Sequence, residues 1–203
     1  MLTDNNVQAK GPPKEEMMRC AKCHSMPLRE RTLDKYHYKE SGLPNVWLNG
    51  GGVTEYSCQA CGYKGIAIQK EPQLLQVIAL KLLMRPGPLG GQELRYLRKL
   101  CDLTQEKLAS KLDVRRGAIL RWEAGEMEVG RPRQLHLRMV LLREFQRMLA
   151  EEGNYLGPQN NQRLKTFESE FVALSEEIFR KPKLKLITLE KHTDWEPQEK
   201  KAA

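Results

Sequence analysis

Four cysteines fall in two pairs, Cys20-Ala21-Lys22-Cys23 and Cys58-Gln59-Ala60-Cys61. A CxxC step brings two thiolates to one metal ion from a single tight turn, and two such steps complete the tetrahedral sulfur shell that zinc prefers. Gly62, directly after the second pair, supplies a residue that tolerates positive φ where such a turn closes. The separation between the pairs is wider than in a short zinc ribbon, but a loop of that length folds back through a small hairpin at modest entropic cost. The expectation is one structural Zn²⁺ held by Cys20, Cys23, Cys58 and Cys61.

The same cysteines admit other readings. Two disulfides need an oxidising compartment, and the opening residues MLTDNNVQAKGPPKEE are polar, with no apolar run of the kind an export signal carries. The expected location is therefore the reducing cytoplasm, where paired cysteines serve as metal ligands or redox groups. A thioredoxin-like dithiol would sit beside a βαβ pattern, and none is visible. Cys20 to His24 also spells CxxCH, the haem-attachment string, but that chemistry takes place after export. His24 as a ligand is needless beside four thiols. The fifth cysteine, Cys101, occupies an apolar helix position beside Leu97 and Leu100 and reads as a small core residue.

Length and charge bound the rest. A chain of 203 residues makes one to two domains. The longest apolar run, Leu74 to Met84, is interrupted by Gln76 and Lys81 and is too short to span a bilayer. The net charge is +8, and residues 85–150 hold 14 Lys and Arg against 8 Asp and Glu, so +6 of that excess sits in one segment. A basic surface concentrated in this way suits a nucleic-acid reader better than a uniformly solvated chain. No Ser-His-Asp arrangement, phosphate-cradling glycine loop or acidic metal pair is visible, which argues against an enzyme.

Along the chain, residues 1–16 read as disordered: polar, with Gly-Pro-Pro and no periodicity. Residues 17–70 hold the cysteine pairs and short strand-like runs around Tyr36-His37-Tyr38, Val46-Trp47-Leu48, Val53 to Ser57 and Ile66-Ala67-Ile68, with Gly50-Gly51-Gly52 as a turn. A unit this small needs its metal to fold. Residues 71–90 form a connecting helix, from about Gln73 to Met84, and a stiff joint at Arg85-Pro86-Gly87-Pro88.

Residues 91–152 then carry helical periodicity. Glu93 to Leu100 places Leu94, Leu97 and Leu100 or Cys101 on one face. Thr104 N-caps a helix over Gln105–Leu112, with Lys107 where Glu would complete a capping box. A third helix, Arg115–Ala124, closes at Gly125. Small Ala109 lets two helices approach, and Val114, Ile119 and Trp122 fill the core between them. Two helices joined by a short turn, with a basic outer face, make a helix-turn-helix pattern. Gln134 to Glu152 predicts an amphipathic helix facing inward through Leu135, Met139, Leu142, Phe145 and Leu149.

In residues 153–203, the series Leu164, Phe167, Phe171, Leu174 and Ile178 suits either an oligomer contact or a helix docked on the core. Lys183 to Leu189 reads as a late strand at a lysine-protected sheet edge, and the tail from Glu196 as loose. The fold class predicted is α+β: a small β-rich zinc-binding N-terminal domain, an all-α helix-turn-helix domain and a helical C-terminal extension.

The string Leu103-Thr104-Gln105-Glu106-Lys107-Leu108-Ala109, with Leu112-Asp113-Val114 and Ile119-Leu120-Arg121-Trp122-Glu123-Ala124-Gly125, resembles the XRE (Cro/phage-repressor-like) helix-turn-helix. Joined to Arg85 to Leu89, Glu93 to Lys99 and the two CxxC pairs, it is similar to the MqsA antitoxin family, in which a YgiT-type zinc finger precedes an XRE domain. The resemblance covers roughly residues 17–150. It implies a bacterial, dimeric regulator that binds double-stranded DNA in the major groove, and for some members an antitoxin that binds a toxin protein through the zinc domain and represses its own operon.

The resemblance makes Cys20, Cys23, Cys58 and Cys61 the zinc ligands and Gln105 a phosphate contact at a helix N-terminus. Arg115 and Arg116 open the recognition helix, and Arg121 lies further along a similar face. An arginine there can bind guanine O6 and N7 with both ends of its guanidinium. Gly117 stands where a polar base-reading residue is common in this family, and the first pair is CAKCH rather than CxxCG.

Two other functions compete. One is a CxxC redox or hydrolytic enzyme, although four cysteines leave a zinc no open position for catalysis. The other is a one-component regulator without a toxin, in which residues 151–203 sense a ligand or partner. On that view, truncation at Gly153 leaves DNA binding intact.

Overall fold

In the computed structural model, residues 19–25, 28–170, 187–191 and 194–197 are described. The disorder expected for residues 1–16, the apolar positions Phe171, Leu174 and Ile178, and the start of the late strand at Lys183–Leu186 lie outside them. Within them the chain is α+β, as its patterning predicts: a sheet bearing the cysteines, then helices through residue 170.

Three strands open the fold: β1 (Leu28–His37), β2 (Val46–Cys58) and β3 (Lys64–Ile68). β1 runs antiparallel along one side of β2, pairing Leu33 with Val53 and His37 with Trp47. On the other side, the second half of β2 pairs with β3 through Val53↔Ile68 to Ser57↔Lys64. The first half, Val46–Asn49, pairs in parallel with β4 (Ile187–Lys191), which carries β5 (Trp195–Pro197) antiparallel on its far side.

The late strand is therefore interior, between β2 and β5, and the edge placement expected for it is wrong. The apolar side chains Ile187 and Leu189 are buried. Their burial favours a strand paired on both sides. Gly50-Gly51-Gly52 is likewise not a turn. The three glycines lie inside β2, where the register against β1 shifts between Leu33 and Lys35. Glycine is required there because β4 and β5 press on this stretch. A Cβ on Gly50 would stand 2.7 Å from the Lys191 carbonyl oxygen, and one on Gly52 would stand 2.8 Å from the Trp195 ring.

α1 (Glu71–Met84) is the hub. Leu74, Val77, Ile78, Ala79, Leu80, Leu82 and Leu83 are all buried, so nearly its whole circumference is covered. A helix apolar all round is the signature of a buried one. Even its two glutamines turn inward and bind the C-terminal segment. Gln76 donates to the Gly153 carbonyl at 2.8 Å and accepts from the Tyr155 amide at 2.8 Å, while Gln73 accepts from the Trp195 amide at 3.1 Å.

α2 (Gly91–Leu100), α3 (Gln105–Lys111), α4 (Arg116–Ala124) and α5 (Arg131–Glu151) follow. The Thr104 hydroxyl accepts from the Lys107 amide at 3.1 Å, and Gly125 ends α4 in the left-handed conformation, both as the sequence predicts. On α5 the buried set is wider than the predicted stripe. Leu142, Phe145 and Leu149 face inward, but Met139 is exposed and Leu135 only half-buried, and Leu137, Arg138, Leu141 and Met148 are buried instead.

Arg138 explains the rotation. It is fully buried and donates to the carbonyls of Leu82, Leu83 and Gly87, closing the C-terminal end of α1 and the Pro-Gly joint. Carbonyls at a helix C-terminus are the natural partners of a buried cation. Burial lowers its pKa to about 10, which still leaves it charged at neutral pH.

α6 (Gly157–Glu170) buries Leu164 and Phe167, so of the two roles open to this series its described part is a docked helix. With Leu156, Leu189 and Trp195 also buried, the extension belongs to the common core. A chain ending at Gly153, expected to keep DNA binding intact, would lose the segment that binds Gln73 of α1 and covers that helix. No helix among the described residues is long and apolar enough to cross a membrane.

Candidate nucleic-acid interface and metal centre

The two CxxC turns are built alike. In the first, the His24 amide donates to the Cys20 carbonyl at 2.9 Å and the Cys20 amide to the Ser25 carbonyl at 3.1 Å. In the second, the Gly62 amide donates to the Cys58 carbonyl at 2.9 Å and the Cys58 amide to the Tyr63 carbonyl at 2.8 Å. His24 and Gly62 occupy equivalent positive-φ positions, 57° and 69°, so the CAKCH string reaches the same geometry as a CxxCG one.

The turns face each other because β1 leaves the first and β2 enters the second, with Leu28 opposite Cys58. All four Sγ atoms lie within 4.8 Å of one another, with Cys20 to Cys61 at 3.6 Å and Cys23 to Cys58 at 3.5 Å. These distances are far beyond a disulfide's ~2.05 Å. They sit close to the edge of a tetrahedron built on ~2.3 Å metal–sulfur bonds, about 3.8 Å. The four cysteines can thus hold one metal ion with no coordination position left over.

Ser25, which the sequence reading missed, bridges the thiols, with its hydroxyl 2.8 Å from Cys23 Sγ and 3.2 Å from Cys58 Sγ. That hydroxyl and the Cys61 amide pull the Cys58 thiol down to about 6, while Cys61, against the lowering bond from the Tyr63 backbone, is pushed up to about 12 by its bonds to the neighbouring thiols. Nothing in the spacing of the cysteines marks Ser25, since its role depends on the second turn folding over it.

The helix-turn-helix is held by a buried polar knot. Arg98 on α2 donates through Nε to Glu123 Oε1 at 2.6 Å and through Nη2 to Oε2 at 3.0 Å. Its Nη1 reaches the Leu103 carbonyl at 2.7 Å, and Gln105 Nε2 donates to Glu123 Oε2 at 2.9 Å. Burial alone would raise the Glu123 carboxyl's pKa, but the bonds from Arg98 and Gln105 and the charges of Arg98 and Arg95 hold it below the ordinary carboxylate value. Close packing accompanies the knot. A Cβ on Gly91 would meet the Trp122 and Glu123 carbonyl oxygens at 2.4 and 2.7 Å, so α2 starts directly against the end of α4.

Ile119, Trp122 and Glu123 face inward on α4, which turns Arg116, Gly117, Leu120, Arg121 and Ala124 outward. Arg115, at the N-cap, is exposed too. All three arginines that the sequence singled out are exposed, but Arg116 and Arg121 stand about 140° apart around α4, so they flank its outward side rather than share the similar face expected of them. Arg116 Nε lies 2.7 Å from Glu106 Oε1 on α3, and Arg121 Nε donates to the Gly117 carbonyl at 3.3 Å. Gly117 has open space where a side chain would stand, so packing does not require a glycine. Gln105 is half-buried, and one of its two amide hydrogens serves Glu123, so the amide has a second hydrogen to donate. Trp122 is core, as predicted.

A helix-turn-helix family model matches residues 94–133, from within α2, through α3 and α4, to the start of α5. The chain carries an XRE-type helix-turn-helix, a DNA-binding unit, behind a sheet with a four-cysteine cluster. No curated protein and no solved structure matches the chain.

Proposed function

We propose that this protein is a sequence-specific, DNA-binding transcriptional repressor whose α4 enters the major groove and whose N-terminal sheet is fastened by one structural Zn²⁺. The observation that carries this reading is the outward face of α4, where Arg116 and Arg121 flank a helix braced from behind by Arg98 and Glu123. Arg116 and Arg121 read base edges, and Arg115 and the second hydrogen of Gln105 meet phosphates. Gly117 lets the helix backbone approach the bases closely. Cys20, Cys23, Cys58 and Cys61 hold the zinc, which shapes the sheet and takes no part in chemistry. The protein works in the cytoplasm as a homodimer on two half-sites about one helical turn apart.

The test is a salt titration of binding to the DNA upstream of the gene, with wild type and an Arg116→Ala/Arg121→Ala variant. Wild type is expected to prefer its own upstream DNA over random duplex by roughly a hundredfold, and the variant to lose that preference. Equal, weak binding of all DNA by both proteins would refute the assignment.

An antitoxin role follows from the MqsA-type resemblance, with a toxin bound at the zinc domain. It predicts that the protein rescues growth against the product of the adjacent reading frame. One observation favours the regulator without a toxin. β4 and β5 cover the side of β2 along Val46–Asn49, occupying a sheet edge that a partner would otherwise use for strand pairing.

A further inference from the structure

Leu120 is the most exposed large apolar side chain on the helix-turn-helix, at 49%. It stands on α4, whose outward side also carries Arg116 and Arg121. At 3.6 residues per turn, Leu120 is rotated about 40° from Arg116, with Ala124 at about 80°, Gly117 at about 100° and Arg121 at about 140°. Leu120 thus sits between the two arginines, on a strip whose other members, Gly117 and Ala124, carry little or no side chain. The strip is narrow and apolar, and it has a charged rim on both sides.

Packing does not account for it. The core side of α4 is filled by Ile119 and Trp122, and the space over Gly117 is open. Polar residues are the commoner occupants of a solvated helix face. An apolar group that projects alone between two base-reading cations matches one feature of the major groove, the thymine 5-methyl group, the apolar mark among the hydrogen-bonding edges. We infer that Leu120 is a specificity-determining residue that packs on a thymine methyl between the bases read by Arg116 and Arg121. This rests on the DNA-binding reading above, and the experiment separates the two.

Duplexes selected from a random library by the wild-type protein are remade with deoxyuridine replacing thymidine, one position at a time, which removes only the methyl group. Wild type is expected to lose about three- to tenfold in affinity at one or two positions. Leu120→Ala, exposed and so neutral to folding, should bind the parent duplex more weakly by a similar factor and be indifferent to deoxyuridine at those positions. A wild-type protein indifferent to every replacement, or a Leu120→Ala protein that keeps the same penalty, overturns the inference while DNA binding stands. If no duplex is enriched over the starting library, the function fails and this contact with it.

Discussion

Arg98 and Glu123, on different helices and 25 positions apart, meet in a buried, two-pronged ion pair with contacts of 2.6 and 3.0 Å. The pair fixes where α4 lies relative to α2, and with it the direction in which Arg116 and Arg121 project. Removing one partner of such a pair leaves an uncompensated buried charge. Glu123→Ala is expected to cost about 3–5 kcal/mol, measured by denaturant unfolding, and to weaken DNA binding without removing any group on the outward face. A loss below ~1 kcal/mol would show the pair to be no better than a surface one.

The same carboxylate sets a pH dependence. Its folded pKa is lowered, so its stabilisation is complete above the ordinary carboxylate value of about 4.3 and is lost as pH falls through the folded value. Wild type should lose stability over that acid range more steeply than Glu123→Gln. Parallel acid-unfolding curves for the two proteins would contradict the assignment.

Glu106 stands beside Arg116 on the outward face, and both side chains are largely exposed. An exposed pair adds little stability. The carboxylate would, however, oppose the phosphates and hold an arginine away from its base. Glu106→Gln is expected to raise affinity for any duplex about two- to fivefold at low salt, an effect that fades as salt screens it. A fall in affinity would mean that Glu106 is needed to aim Arg116.

Native mass spectrometry should find one zinc per chain, lost in Cys58→Ser together with the fold of the sheet. After chelation, four thiols should react promptly with an aromatic disulfide reagent. Cys101 should react only on unfolding, because it is buried in the core and burial pushes its thiol up to about 12. Five prompt thiols would show that the metal also holds the helical core shut.

Trp195 lies fully buried against α1, donating through Nε1 to the Gln69 carbonyl at 2.6 Å. Trp195→Ala is expected to cost about 3–5 kcal/mol, and truncation at Gly153 still more. Both should be visible as lowered melting temperatures of the whole protein. An unchanged melt in the truncated chain would mean that the extension is dispensable.

Much of the site was legible because it is written in local spacing. CxxC turns, an N-cap at Thr104, a glycine stop at Gly125 and the run of arginines on one helix all act over a few residues. Ser25, Glu106 and the Arg98–Glu123 pair were not legible, since each gains its role from a residue brought over by another element. Glu123 lay within the string that carried the family resemblance, yet nothing local marked it as the partner of Arg98.

By itself the sequence determined the α+β class, the four-cysteine cluster, the helix-turn-helix and the arginines of α4, because hydrophobic period, caps and ligand spacing are short-range properties. Only the tertiary structure decided that the last described residues return to the first sheet, that the glycine triplet lies within a strand, and that a fully buried arginine closes the joint. Those outcomes depend on what α1 and β2 meet across the fold, where burial and hydrogen-bond satisfaction outweigh local preference.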